Sequence, residues 1–409
     1  MARKMKDSGV DWIGKIPEDT KLMQFRYIAD ISTGNMDTQN RDDNGNYPFY
    51  VRSPKVERSK EYSFDDVEAI LMAGDGVGAG RIFHYVQGKY ACHQRVYRLN
   101  NFHHVNSKFL KYYLEILFPM VMEYGSAKST VDSVRLPMLK SFWVVIFNES
   151  EQQKIANYLE EKVSEIDSVI ARTKETIEDY KRYKQSIITE AVTKGLNPNV
   201  DMKDTGSEWI GEIPAHWDYV RIQTLFETVD NRNTNPDACL LSLYTAIGVK
   251  PRSELEERGN KAATVMNYKI VKQDDIIVNK LLAWMGAIAY SEYNGVTSPD
   301  YDVYRAKDGA NVIKDYYNNY FRHTCFKDDC YKYGHGIMLM RWRTYPEELL
   351  RIKVPNPPYE EQKEIAKYLN DRCLEIDNLI SKKTNLIEDL EKYKKSIIYE
   401  YVTGKKEVE

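Results

Sequence analysis

"EQQKIANYLEEKVSEIDSVIARTKETIEDYKRYKQSIITEAVT", residues Glu151–Thr193, returns without a gap as "EQKEIAKYLNDRCLEIDNLISKKTNLIEDLEKYKKSIIYEYVT", residues Glu361–Thr403. Ile155, Tyr158, Leu159, Asp167, Tyr183, Ser186 and Thr193 recur 210 positions later as Ile365, Tyr368, Leu369, Asp377, Tyr393, Ser396 and Thr403. Within each copy, seam positions alternate in steps of four and three. The first runs Leu159, Val163, Ile166, Ile170, Thr173, Ile177, Tyr180, Lys184, Ile187, Ala191. The second runs Leu369, Cys373, Ile376, Ile380, Lys383, Ile387, Leu390, Lys394, Ile397, Tyr401. Charged residues fill the positions between. A heptad seam of this length predicts two long helices that pair through it. At ~40 residues each helix is roughly 60 Å long.

A second, shorter repeat precedes each helix. "KDSGVDWIGKIP" (Lys6–Pro17) recurs as "KDTGSEWIGEIP" (Lys203–Pro214), here 197 positions on, so the second intervening block is 13 residues longer than the first. Each half therefore reads short motif, variable block, long helix. The second block follows the end of one helix and leads into the start of the other. Helices paired along their seams must then be antiparallel, with the blocks at opposite ends and the C-terminus returning towards the N-terminus. The expected architecture is α+β: two mixed α/β domains joined by two long antiparallel coiled-coil helices in a pseudo-two-fold, circular layout. The divisions are residues 1–148, a first block with its WIGxIP segment; 149–195, the first helix; 196–357, linker and second block; and 358–409, the second helix and tail.

The variable blocks alternate short strand-like runs with turn residues. In the first, "YPFYVRS", "EAILMAGDG", "RIFHYV" and "KYACHQRVYRL" read as strands, and "SKFLKYYLEILFPMVMEYG" as a helix. In the second, "IIVNKLLAWMGAIAYS" and "GVTSPDYDVYRA" lead to one aromatic helix near "IKDYYNNYFRHTCF". Hydrophobic residues make up 42% of 409 residues, which excludes global disorder. No apolar run approaches the ~20 residues of a membrane span. The opening "MARKMKDSGVDW" has no apolar stretch behind its charges, so no signal peptide is expected and the chain is placed in the cytoplasm. Net charge is −3, but residues 21–140 carry +3 and 219–354 carry +2, so the blocks are mildly basic and the helices acidic. That distribution permits nucleic-acid binding by the blocks.

The whole chain resembles the specificity subunit of Type I restriction–modification enzymes. The resemblance is carried by the two WIGxIP motifs and the Glu151-Gln152 and Glu361-Gln362 helix starts. It is carried too by "GDGVGAGRIFHYVQGKYACHQRVY", "IIVNKLLAWMGA" and "GVTSPDYDVYR" in the blocks. It implies that each block reads half of a split double-stranded DNA site and that the helix pair spaces the halves. It also implies partners: two adenine-methylating modification subunits and restriction/translocase subunits. No cofactor is then expected in this chain; S-adenosylmethionine belongs to the modification subunits, and ATP and Mg to the restriction subunits.

One tetrapeptide argues for chemistry in the chain itself. Asn356-Pro357-Pro358-Tyr359 has the form with which DNA amino-methyltransferases hold a flipped base. Such an enzyme also needs a Gly-rich turn between a strand and a helix for its cofactor. Gly74, Gly76 and Ala79 match G-x-G-x-x-A, but "RIFHYV" follows, a strand rather than a helix. The tetrapeptide runs straight into the second heptad helix, and its prolines suit an extended approach to a helix start. It is read as a junction. His84, His93, His103 and His104 have no nucleophile spaced to form a triad. His323, Cys325, Cys330 and His335 match no metal framework, so no metal is expected. Asp65-Asp66 read as a solvated turn.

Arginine pairs with guanine, and Asn or Gln with adenine, in the major groove, while Lys and Ser hold phosphate. On that chemistry the DNA-reading candidates are Arg52, Arg81, His93, Gln94, Arg95, Lys128, Ser129 and Arg135 in the first block. In the second they are Arg252, Asn279, Lys280, Trp284, Arg341 and Arg343. The helix–helix seam is assigned to Leu159, Ile166, Ile170, Ile177, Ile187, Leu369, Ile376, Ile380, Ile387 and Ile397. The expected function is a non-catalytic, sequence-specific DNA-binding subunit. Its rivals are an amino-methyltransferase working through Asn356–Tyr359 and a coiled-coil scaffold that binds no DNA.

Overall fold

The computed structural model describes residues 3–125, 132–254, 264–337 and 342–408. The chain divides into two compact units, Met1–Lys174 with Thr384–Glu409, and Glu175–Lys383. Each unit holds one variable block and a portion of both heptad helices, which run Glu149–Lys194 and Tyr359–Val402.

In the first unit a six-stranded sheet has the order Asp30–Thr33, Val96–Asn100, Phe64–Ala73, Phe83–Cys92, Tyr47–Tyr50, Glu57–Ser59. Every pairing is antiparallel except that of Tyr47–Tyr50 with Phe83–Cys92. The helix Ser107–Gly125 packs on it, burying Phe109, Leu110, Tyr113, Leu114, Leu117 and Phe118. The spacing of these residues is the apolar stripe of an amphipathic helix. Asp65 and Asp66 are not in a turn. Both lie in the strand Phe64–Ala73, where Asp66 is covered by Arg98 and bonded to it and to Tyr90. Burial pushes the Asp66 carboxyl up, but these hydrogen bonds outweigh it and hold the group below the usual carboxylate range.

The second unit has a four-stranded sheet in the order Phe226–Val229, Tyr301–Ala306, Ile276–Asn279, Ile288–Tyr290. The pairs Leu241–Tyr244 with Gly248–Pro251 and Lys269–Val271 with Gly295–Thr297 form separate small sheets. The single aromatic helix expected here is two helices, Lys314–Arg322 and Thr324–Tyr333. His323 makes the break: its Nδ1 accepts from the Cys325 N–H at 3.3 Å and caps the second helix. Its Nε2 lies 2.6 Å from Thr189 Oγ1. That hydroxyl donates to the Gln185 carbonyl, so the imidazole donates to Thr189 and is neutral. Burial lowers its pKa to about 4.

The repeated segments do the same work in each unit. The motif folds as a hairpin, Met5–Asp7 with Lys15–Pro17 and Met202–Asp204 with Glu212–Pro214. Ile13, Ile16, Ile210 and Ile213 enter the cores, and Gly14 and Gly211 sit at φ +72° and +66°, a conformation that favours glycine. In the first unit the Tyr158 and Tyr401 rings lie 4.5 Å apart and Lys394 reaches Asp167 at 2.6 Å, so the helices are antiparallel there. In the second unit Lys184 reaches Asp377 at 2.7 Å and Lys383 lies over the Tyr180 ring, again antiparallel. Asp167 and Asp377 are repeat equivalents, as are Lys184 and Lys394, so one ion pair is made twice with the helices exchanged. Of the seam residues, Leu159, Ile166, Ile170, Ile177, Ile187, Leu369, Ile376 and Ile397 are buried, and Ile380 and Ile387 half-buried. The C-terminal segment returns to the N-terminal hairpin inside the first unit: Arg3 pairs with Glu407 at 3.5 Å, and Lys405 donates to the Ile13 carbonyl at 3.4 Å.

Candidate nucleic-acid interface

In the first block, three chain segments are tied together by backbone bonds. The His93 N–H donates to the Tyr50 carbonyl at 3.0 Å, and Gly74 N–H to the Arg95 carbonyl at 2.9 Å. Val134 N–H donates to Gly74 O at 2.8 Å, and Asp75 bridges to Ser133. The strand-end loops carrying Arg52, Asp75 and Arg95 are thereby fixed beside one another. Asp75 accepts from Arg52 through Oδ1 and from Arg95 through Oδ2, both at 2.8 Å. Burial pushes the Asp75 carboxyl up, yet the two guanidiniums outweigh it and keep it below the usual range. Arg81 pairs with Asp132 at 3.0 Å, and Gln94 Nε2 donates to Asp37 at 3.0 Å.

Beside them lies a cavity of about 610 Å³ lined by Arg52, Asp75, Val77, Arg81 and His93, among others. Gly76, at φ +77°, turns the loop so that Val77 stands 94% exposed at its tip. His93 itself is buried; its Nδ1 accepts from the Arg95 N–H at 3.1 Å, and burial lowers its pKa. Arg135 is exposed at the start of the short helix Leu136–Ser141. Lys128 and Ser129 lie outside the described residues.

In the second block the corresponding loops meet in the same way, with Thr344 N–H donating to the Lys280 carbonyl at 3.0 Å. This brings Lys280 beside Arg343, whose backbone pairs in both directions with His335. Lys280 Nζ lies 3.9 Å from Asp302, and Lys269 holds the same carboxylate at 3.0 Å. Asn279 is buried, with its Oδ1 accepting from Leu281 N–H at 3.1 Å. Trp284 donates its indole N–H to Leu281 O, and its ring lies 5.9 Å from that of Tyr331, which stacks on Trp342 at 5.0 Å. Arg252 opens the 3-10 turn that follows Gly248–Pro251. Arg341 lies outside the described residues.

The orienting acids, Asp75, Asp132 and Asp302, are absent from the sequence-derived set. The only trace of Asp75 is its place between two glycines. Two further residues, known from sequence only as part of the helix-start motif, fasten each block to its helix. Gln152 is buried; its Nε2 donates to His104 O and Phe147 O at 3.0 and 2.8 Å, and its Oε1 accepts from Asn106 N–H at 2.7 Å. Gln362 repeats the pattern with Asn311 O, Pro357 O and the Ile313 N–H.

Asn356 closes the strand Lys353–Asn356, and its Oδ1 accepts from Tyr317 OH at 2.8 Å and from Gln362 at 3.2 Å. The tetrapeptide is thus a strand-to-helix junction whose amide oxygen already has two protein donors. After Gly74 and Gly76 comes the strand Phe83–Cys92. Among the described residues no three His, Cys, Asp or Glu side chains converge as a metal ion would require. Cys325 Sγ contacts Trp209 O, and Cys330 is enclosed in the core. No helix among them is long and apolar enough to cross a membrane.

The family model described as "Type I restriction modification DNA specificity domain" matches residues 17–179 and again 214–390. The chain is similar to the Type I restriction enzyme EcoDI specificity subunit of Escherichia coli, 23% identical over 407 residues that cover 92% of this chain and 88% of the relative. It is similar also to a putative type I restriction enzyme MjaX specificity subunit of Methanocaldococcus jannaschii, 24% identical over 430 residues, covering 96% and 95%. Among solved structures, a chain from work on assembly of the type I R-M system aligns with TM-score 0.69 and 13% identity, covering 95% and 98%. The HsdS subunit from Thermoanaerobacter tengcongensis aligns with TM-score 0.50 and 14% identity, covering 97% and 99%.

Proposed function

We propose that this chain, which belongs to the Type I restriction modification DNA specificity domain family, is the DNA-reading subunit of a Type I restriction–modification complex. Its two blocks read two unlike halves of a split double-stranded site in the cytoplasm. Two modification subunits, carrying S-adenosylmethionine, methylate adenine there, and restriction subunits supply ATP-driven cleavage. The chain itself catalyses nothing.

One observation carries this reading. Both blocks present the same loop pair on the same four-strand order, yet the side chains on those loops differ. Where the first has Gly74 and Ser133 the second has Lys280 and Arg343, and only the first block sets Arg52 and Arg95, from neighbouring loops, against Asp75 among the described residues. A shared scaffold with different readers is what two unlike half-sites require. Methylome sequencing of a host carrying the chain tests it. Exchanging Thr20–Phe147 for the equivalent block of a relative should change one half of the methylated motif and leave the other intact. A change in both halves, or a motif independent of the chain, would overturn the reading. The junction assignment predicts that Asn356→Ala leaves methylation by the complex within a few-fold of wild type.

A further inference from the structure

We infer that the half-site read by the first block contains guanine, recognised by Arg52 and Arg95 with Asp75 as the residue that positions them. The inference rests on the DNA-reading function proposed above and names the base class that one site would take.

Two exposed guanidiniums share one carboxylate, and side-chain exposure is 41% for Arg52, 60% for Arg95 and 20% for Asp75. Each arginine has five N–H donors and spends one on Asp75. Among the described residues, the others carry no protein acceptor. The loop bearing Asp75 is held by bonds to Arg95, Asp132 and Val134, and the one bearing Arg52 by the His93–Tyr50 bond. The donors are therefore presented in a set geometry before any ligand arrives.

The alternative role, gripping phosphate, fits this arrangement poorly. A carboxylate between two cations cancels half their charge and would repel a phosphate beside it. A neutral base edge is not repelled, and it rewards orientation over charge. Guanine offers two acceptors, N7 and O6, that match an arginine fork. Among the described residues the second block shows no such device: the carboxylate near its Lys280, Asp302, is buried within the strand Tyr301–Ala306 and holds two lysines, which act as point charges.

The complex of this chain with its methyltransferase subunits is titrated with duplexes of its own methylated motif. Guanines in the first half-site are replaced one at a time by 7-deazaguanine, which lacks only the N7 acceptor. At one or two positions, binding by the wild-type complex should weaken about tenfold or more. Arg52→Ala or Arg95→Ala should remove that sensitivity and make the same position degenerate in the methylome. Asp75→Asn should relax it while leaving recognition of the second half-site unchanged, because that half-site is read by the other block. A first half-site without guanine, or full binding to every 7-deaza duplex, overturns the inference while the subunit reading stands. Absence of DNA binding by the complex overturns the subunit reading instead.

Discussion

The first block hangs two extra strands on the edge of its sheet, whereas the second folds its extra strands into separate small sheets. Beneath this difference the order is the same. Asp30–Thr33, Val96–Asn100, Phe64–Ala73 and Phe83–Cys92 correspond to Phe226–Val229, Tyr301–Ala306, Ile276–Asn279 and Ile288–Tyr290. The loop pair sits in the same place, with Val134 on Gly74 in one and Thr344 on Lys280 in the other. The lesson is a division of labour: the hydrogen-bonded frame and the attachment to the helices repeat, and the exposed tips diverge. Loops on a rigid frame can change their chemistry at little cost to the fold.

The sharpest way to break that correspondence is in the core. Leu159 and Leu369 are repeat equivalents, each fully buried in its own unit. Leu159→Ala and Leu369→Ala should each cost about 2–5 kcal/mol in chemical denaturation. A large loss from one and none from the other would mean that the repeat has lost structural equivalence.

Next in size are the buried amides. Gln152→Ala and Gln362→Ala each leave one backbone N–H and two carbonyls without their side-chain partner. We expect a loss of about 1–3 kcal/mol in either unit. Hydrogen exchange should localise each loss to its own unit; faster exchange in the other unit would contradict the attachment described.

A third test uses a feature described in the second unit. His323 is neutral in the fold, with a pKa lowered to about 4, against ~6.5 for a free imidazole. Between those values the unfolded chain binds a proton that the folded chain does not, so stability falls as pH falls. The contribution at pH 5.5 is about 1.2 kcal/mol relative to pH 7. Asp329, on the same helix segment, has the opposite sign: burial raises its carboxyl to about 7, so it gains stability as pH falls towards the acid range. The test is therefore a difference. His323→Asn keeps a capping side chain and should flatten the acid loss by that amount between pH 7 and 5.5. Parallel pH–stability curves for the two proteins would refute the neutral imidazole.

The smallest effect is expected at the doubled ion pair. Asp167→Asn and Asp377→Asn remove the partners of Lys394 and Lys184, which are largely exposed pairs. Each should cost about 0.2–1 kcal/mol, less at high salt. A loss well above that range at either site would show that the pair does more than register the helices.

Most of the frame was legible in the sequence because its signals are local. The heptad seam marked both long helices, and the run from Ser107 to Gly125 was read as the helix it forms. What escaped depends on partners distant in the chain. The helix break at His323 is fixed by Thr189, and the burial of Asp66 by Arg98. Asp75 acquires its role only when three separated loops are brought together. The buried place of Asn279 was illegible for the same reason, since an amide beside a turn looks alike whether it faces solvent or closes the turn. Of the candidate site, the arginines were proposed for their chemistry, and the acids that pair with them were not.

The first unit is discontinuous, closed by residues from Thr384 onwards, with Ile397, Ile398 and Val402 in its core. The second is a single stretch, Glu175–Lys383. On the ribosome this inverts the usual order of events. The first block emerges first but waits for residues Thr384 to Val402 to be made, about 10–45 s later at ordinary elongation rates. The second unit can close as soon as its own stretch is clear of the exit tunnel. The half of the molecule that is born first is completed last, and a chain that stops short of its final helix turns would strand the older half with an open core.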